Sequence, residues 1–386
     1  MLICSTDKLS KFCAELLHCG PESVAVDTEF SRSFSEYYPR LCLLQLAYEG
    51  GHCVVDALAE GIDLEPLQDV FANKKIFKVF HDCRQDLDAL SVKFPSIPDP
   101  IFDTQIAAML CEYHENSVGY SKLVEQFLGV RLNKLSFKRV DWSKRPLTEG
   151  KVRYALDDVV YLHKLYEILK DILEAKGRLS WYLQEMENIG NSVAEQYISI
   201  LEGMDFYGEL TEEELMVARS VVEWREKVAS LRNVNRNIVM CSKSVLNATR
   251  DFISSGSDAC LANHVKGEYL RELSFGLTEI VDRNKNSRLE PSNAASQDRD
   301  VLSVLSILLH NVCLKHGVSQ RLVASRRDLV RAMSRLPSVI MRGWRYEFFG
   351  NKIEDFVSGK SQLVFSVSDE GSGPQLLVDT QLLENK

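Results

Sequence analysis

Residues 24–30, Val24-Ala25-Val26-Asp27-Thr28-Glu29-Phe30, place two carboxylates two positions apart behind a run of small and branched apolar side chains. The apolar run reads as a β-strand, in which side chains alternate, so Asp27 and Glu29 fall on one face. Like charges a few ångströms apart repel unless a cation lies between them or one stays protonated. A strand running out into a solvated turn is the ordinary explanation of such a pair. Its weight depends on whether other carboxylates reach the same place.

Working outward, a helix is expected over 7–19, where Leu9, Phe12, Leu16 and Leu17 share helical spacing before Gly20-Pro21. Strands follow over 41–47, 52–56 and 75–81, the first two joined at Gly50-Gly51. Helices are expected over 58–72, 84–93 and 121–128, another opens at Asp103 as N-cap, and one long helix over 149–175 is capped by Thr148. Three strands in series, then strands alternating with helices, predict a mixed α/β sheet covered by helices and ending near residue 176. Beyond it the strand signal vanishes. Helices are expected over 188–200, over 211–231 behind the capping box Thr211…Glu214, and over 243–253. A polar linker covers 284–300, a third helical piece starts at Val301, and a frayed tail is expected from Gly371.

Composition narrows the class. A chain of 386 residues is too long for one ordinary core. With 45% hydrophobic and 26% charged residues it is expected to be soluble, and no apolar run has membrane-spanning length. The N-terminal residues lack the pattern of a secretory signal. Ten cysteines without a C-x-x-C pair suit neither a zinc framework nor a disulfide scaffold, so a cytoplasmic protein with reduced thiols is expected. A net charge of −9 argues against a generic nucleic-acid coat but not against an enzyme whose acidic site holds metal. No P-loop motif is present.

Further carboxylates come from two helices. Asp86 lies in the first turn after the fourth strand. Tyr154 and Asp158 are spaced i, i+4 and share a helix face, with Asp157 about 100° round. The apolar Leu156, Val159 and Val160 around them predict a largely buried helix, and a buried aspartate needs a partner. A shared metal ion is one.

These residues carry a resemblance. Val26–Phe30, Tyr37-Tyr38-Pro39-Arg40-Leu41 running on to Leu46, His81 with Asp86-Leu87, Phe102–Ala108, Asp141-Trp142 with Arg145–Thr148, and Tyr154 with Asp158 and Tyr161-Leu162 resemble, in order, the ribonuclease D family of DEDD exonucleases. The resemblance implies a ribonuclease H-like fold for residues 1–176. It implies Asp27, Glu29, Asp86 and Asp158 as ligands of two divalent cations, Mg²⁺ or Mn²⁺, and Tyr154 as the residue that orients the attacking water. Two such ions supply a nucleophile at neutral pH and neutralise the leaving 3′ oxygen. Asp157 falls outside the tyrosine-x-x-x-aspartate register and reads as structural. Asp82 departs from the family, whose members usually carry a small residue there.

Two weaker resemblances follow. Glu223-Trp224-Arg225-Glu226 with Leu231–Arg236 is similar to the HRDC module, over 205–285. Gly317–Ala324 with Gly343–Gly350 is similar to a second HRDC-like module, over 300–386, rich in arginine (Arg321, Arg326, Arg327, Arg331, Arg335, Arg342, Arg345). Both imply all-α bundles that bind RNA by phosphate contact and stacking. His81 reads as a packed or hydrogen-bonding side chain and Asp103 as a helix cap. Tyr37, Tyr38 and Gln45 are candidates to line the substrate groove, and Lys138, Arg139, Lys144 and Arg145 to touch phosphate. The resulting expectation is a monomeric 3′→5′ exoribonuclease maturing tRNA precursors, with no membrane partner. A DNA exonuclease and a non-catalytic RNA-binding protein are the alternatives.

Overall fold

The computed structural model describes residues 1–386 apart from 133–139, 192–196, 198, 199, 202, 208, 209, 266–268, 270–275, 286–298, 336, 337, 370–373 and 383–386. By compactness the chain forms two units. One comprises Met1–Phe30, Leu41–Ile189 and Ala294–Lys386, the other Ser31–Arg40 and Gly190–Asn293.

The first unit is built on strand β2 (Ser23–Ser31), whose Val24, Ala25 and Val26 are wholly buried. A strand buried on both faces reads as continuous apolar sequence, as this one does. With β1 (Leu2–Ile3), β3 (Arg40–Tyr48), β4 (Gly51–Asp56), β5 (Phe77–Phe80) and β6 (Ile101–Asp103) it forms a sheet of order β1-β4-β3-β2-β5-β6. β3 and β4 pair antiparallel, whereas β1 with β4, β2 with β5 and β5 with β6 are parallel, so the sheet is mixed.

Alternation sends Val24 and Val26 to one face, where they meet α1 (Thr6–Cys19), α2 (Leu67–Ala72) and α3 (Arg84–Ser91). Ala25 faces the other way, toward α4 (Thr104–Cys111), α5 (Tyr120–Leu128) and α7 (Leu162–Ala175). Helix α6 (Glu149–Asp157) packs Ala155 against Cys42, Leu43 and Val54. Helix α8 (Leu179–Asn191) closes this part of the unit, and Tyr182 is buried beside Phe102.

The second unit holds α9 (Glu212–Arg232), α10 (Ser242–Ser255) and α11 (Leu277–Lys285) around Val221, Trp224, Val228 and Phe252. Its expected capping box forms, Thr211 and Glu214 each bonding the other's backbone N–H. The C-terminal helices α12 (Arg299–His316), α13 (Arg326–Met333) and α14 (Asn351–Val357) belong to the first unit. Leu305, Leu309 and Trp344 share a core there with Leu110, Leu165 and Leu169.

Four expectations are corrected. The helix expected over 58–72 is confined to Leu67–Ala72, because Gly61 at φ +70° and Pro66 impose turns ahead of it. The helix expected over 149–175 is two helices separated at 158–161, where the β-branched pair Val159-Val160 sits. The helix expected over 188–200 begins earlier, at Leu179, and much of its remainder lies outside the described residues. Finally, the tail is not wholly frayed and 300–386 is not all-α: β7 (Ser361–Asp369) and β8 (Pro374–Leu382) pair antiparallel, in keeping with the strand propensity of Val364, Phe365, Val367 and Val378. Most of the expected linker, 286–298, lies outside the described residues.

Candidate active site: carboxylates at the end of the central strand

The last pair between β2 and β5 is Ala25 with Val79, two residues before Asp27, so the end of β2 runs on past β5. Asp27 and Glu29 lie on this stretch, both partly buried. The break between α6 and α7 brings Asp158 to them. One carboxylate oxygen each from Asp27, Glu29 and Asp158 lie within 4.8 Å of one another. Asp158 caps α6 at φ −78°, ψ −17°, its N–H bonded to the Leu156 carbonyl. A straight helix would have tied the Asp157 carbonyl into its own ladder. Here that carbonyl accepts the Tyr120 hydroxyl at 3.1 Å.

Tyr154, one turn before Asp158, is half-buried with its ring 6.0 Å from that of Trp142. Burial raises its hydroxyl pKa, and the charges of Asp158, Glu29 and Asp27 raise it further. The phenol is therefore held protonated among the three carboxylates. Tyr120, 6% exposed, is raised in the same way, first by burial and then by Asp158, with Asp27 contributing. No pattern in the sequence pointed to Tyr120, a single aromatic after Gly119.

Asp86 arrives from another direction. It sits in the first turn of α3, is 7% exposed, and accepts the Thr28 N–H at 3.1 Å and the Thr28 hydroxyl at 2.5 Å on Oδ1. Its carboxylate thus satisfies the backbone of β2 between Asp27 and Glu29 while standing outside the three-carboxylate group. Burial pushes its pKa up to about 7 against those two hydrogen bonds, with Asp103 and Asp82 adding to the rise. The three grouped carboxylates offer hard oxygen donors of the kind divalent cations take, and Asp86 is tied to the same strand through Thr28.

Other candidates take structural positions. His81 bonds Thr104 Oγ1 through Nδ1 and the Val118 carbonyl through Nε2. Asp103 caps α4 as expected and also bonds a second segment. Gln45 has no exposed surface, so it lines no groove, and neither of its amide atoms has a partner among the described protein groups. Arg145 is spoken for: its guanidinium bonds both Asp56 oxygens and the Cys42 and Trp142 carbonyls. Lys144 is exposed near Asp141, and Lys138 and Arg139 lie outside the described residues. Arg345, counted in the basic cluster, makes a bidentate pair with Glu185 at 2.7 and 2.8 Å, whereas Arg321, Arg326, Arg335 and Arg342 are exposed.

Comparison with known proteins shows the family. A family model described as 3′-5′ exonuclease matches residues 2–174. Ribonuclease D of Acidiphilium cryptum is 33% identical over 371 residues, covering 91% of each chain. Ribonuclease D of Nitrobacter hamburgensis is 33% identical over 368 residues, 90% of this chain and 93% of the relative. The crystal structure of Escherichia coli RNase D, described as an exoribonuclease involved in structured RNA processing, superposes with a TM-score of 0.70 at 26% identity, covering 94% of this chain and 99% of that one. Family likeness along nearly the whole length joins a carboxylate group built for a hard cation, and the chain accordingly belongs to the ribonuclease D family of 3′→5′ exoribonucleases.

Proposed function

We propose that this exoribonuclease uses two divalent cations, Mg²⁺ or Mn²⁺, to release nucleoside 5′-monophosphates from RNA 3′ ends, and that tRNA precursors are among its substrates. The convergence of Asp27, Glu29 and Asp158 within 4.8 Å carries this reading. Three carboxylates at that separation repel strongly unless cations offset them. Asp27, Glu29 and Asp158 would hold one ion, and Asp27 and Asp86 would help to hold a second. The pair, when bound, supplies a nucleophile at neutral pH and stabilises the leaving 3′ oxygen.

The chain's own groups set the geometry. Tyr154, protonated at working pH, donates its O–H to the attacking water and aims it rather than taking its proton. Asp86, fastened to Thr28, keeps the strand end and its two carboxylates from fraying.

Residues 1–176 are proposed as the exonuclease domain, 205–285 as an HRDC module and 300–386 as a second HRDC-like one. Within the second unit a groove of about 470 Å³ is lined by Arg32, Phe34, Tyr37, Tyr38 and Arg236. Aromatic rings with guanidinium groups suit single-stranded RNA, which stacks on the former and pairs phosphate with the latter. Such contacts position RNA without reading its sequence. The described cysteines are free thiols, which supports a reducing, cytoplasmic setting, and we propose a monomer.

The test is hydrolysis of matched 3′-tailed RNA and single-stranded DNA, with a tRNA precursor as a third substrate. Wild type should shorten the RNAs with Mg²⁺ or Mn²⁺ and stop in EDTA. Asp27→Ala should bind RNA without cutting it. Faster loss of DNA than RNA, or EDTA-resistant cleavage, would overturn the reading.

A further inference from the structure

Asp103 does more than a helix cap requires. It is 1% exposed, and its carboxylate accepts four backbone N–H groups. Two belong to the helix it caps, Gln105 at 2.8 Å and Ile106 at 3.2 Å, both on Oδ1. These alone complete an N-cap. The other two come from the turn between β5 and α3: Asp82 N–H reaches Oδ1 at 3.2 Å and Cys83 N–H reaches Oδ2 at 2.8 Å. On its other side, the Asp103 N–H donates to the hydroxyl of the buried Tyr182 at 2.7 Å. The residue is thereby fixed to α8 as well as to its own helix.

The turn it grips is unusual. Asp82 has φ +62°, a left-handed conformation that residues other than glycine adopt only when their surroundings hold them there. Cys83 offers α3 no side-chain cap. Asp86 follows three residues after Cys83, in the first turn of that helix, and reaches Thr28 on the strand carrying Asp27 and Glu29. A turn strained in isolation thus sets where one of the four carboxylates points. An error of about 1 Å in such a group lowers a rate by about 100-fold.

We infer that Asp103 is a positioning residue for Asp86: through the Asp82 and Cys83 N–H groups it holds the left-handed turn that aims α3 at the strand end. The inference rests on Asp86 belonging to the cation site. Asp103 stands outside the Asp27, Glu29 and Asp158 group and acts through Asp86.

The two oxygens make the role separable from capping. In Asp103→Asn the amide oxygen keeps Gln105, Ile106 and Asp82, while its NH₂ meets the Cys83 N–H, donor against donor. The helix cap survives and the turn loses its anchor. The expected result is a Tm within a few degrees of wild type, kcat lowered at least 10-fold with KM for RNA unchanged, and Mn²⁺ half-saturation raised about 10-fold. The last is read without RNA, from the Mn²⁺-induced rise in Tm. Because glycine adopts positive φ freely, adding Asp82→Gly should hold the turn's shape and recover part of both losses.

Wild-type kcat and Mn²⁺ half-saturation in Asp103→Asn would reduce the residue to a cap. A large fall in Tm with proportional losses that Asp82→Gly leaves untouched would make it a general packing element. Either result overturns the inference. If wild type itself neither responds to Mn²⁺ nor cuts RNA, the proposed function fails first, and the two failures are distinguished.

Discussion

Tyr154 stands among three carboxylates with its hydroxyl pKa raised, first by burial and then by their charge. A phenol whose pKa is raised is a weaker acid and stays un-ionised near neutral pH, so no phenolate is at hand to act as a base and its service is to donate and orient. Tyr154→Phe should lower kcat about 100-fold or more with little change in KM, and single-turnover kinetics on a tailed RNA will show it. Turnover near wild type would remove the role. The strand pair and the i, i+4 pair were legible because alternation and helical spacing are fixed by backbone geometry. The contacts of Asp86 with Thr28 were not, since the pairing of a helix turn with a strand edge has no spacing to read. Tyr120 was silent for the same reason.

Elements were legible where a period ran long enough. β2, β3 and α1 lie within one or two residues of their expected bounds. The three-residue β6 and the interruption between α6 and α7 escaped, because each depends on what the neighbouring segment supplies. β5 shows tertiary context overriding composition. Its Lys78 has no exposed surface, and Nζ donates to the Asn73 carbonyl at 2.8 Å and the Asp99 carbonyl at 2.6 Å. Burial, aided by the charge of Lys74, lowers its pKa to about 7.

The sign is that of a depressed amine. Above about pH 7 the folded chain gives up a proton that the unfolded chain keeps to about pH 10.4, so stability rises with pH between those values. Between about pH 7 and about pH 8.5, urea unfolding should show wild type gaining roughly 1–2 kcal/mol relative to Lys78→Met. Buried thiols such as Cys53 and Cys83, raised chiefly by burial, act in the opposite direction above the pKa of a free thiol. They cancel in the difference between the two proteins. Equal pH dependence would mean the amine stays charged in the fold.

At the scale of the whole molecule, the C-terminal helices group with the sheet rather than apart from it. Trp344 is 1% exposed, stacks on Trp181 at 5.0 Å and 16°, and donates Nε1–H to Glu185 at 2.7 Å. The core it joins includes Val159, within the helix break, and Leu162, the first residue after it. Trp344→Ala should therefore cost about 3–5 kcal/mol, the usual loss for a buried tryptophan. Thermal loss of nuclease activity should coincide with the circular-dichroism transition in wild type and variant alike. Activity outlasting that transition would show the C-terminal helices unfolding alone.

The second unit takes one of its two segments, Ser31–Arg40, from early in the chain and the other, Gly190–Asn293, from about 150 residues later. The Tyr37 hydroxyl bonds Glu226 at 3.0 Å, and the Asn235 N–H bonds the Ser35 carbonyl at 2.9 Å. On the ribosome, at about 5–20 residues per second, the early segment emerges roughly 8–30 seconds before its partners exist. The core of the second unit cannot close until Gly190–Asn293 has been made, and until then Ser31–Arg40 lacks the side chains it packs against.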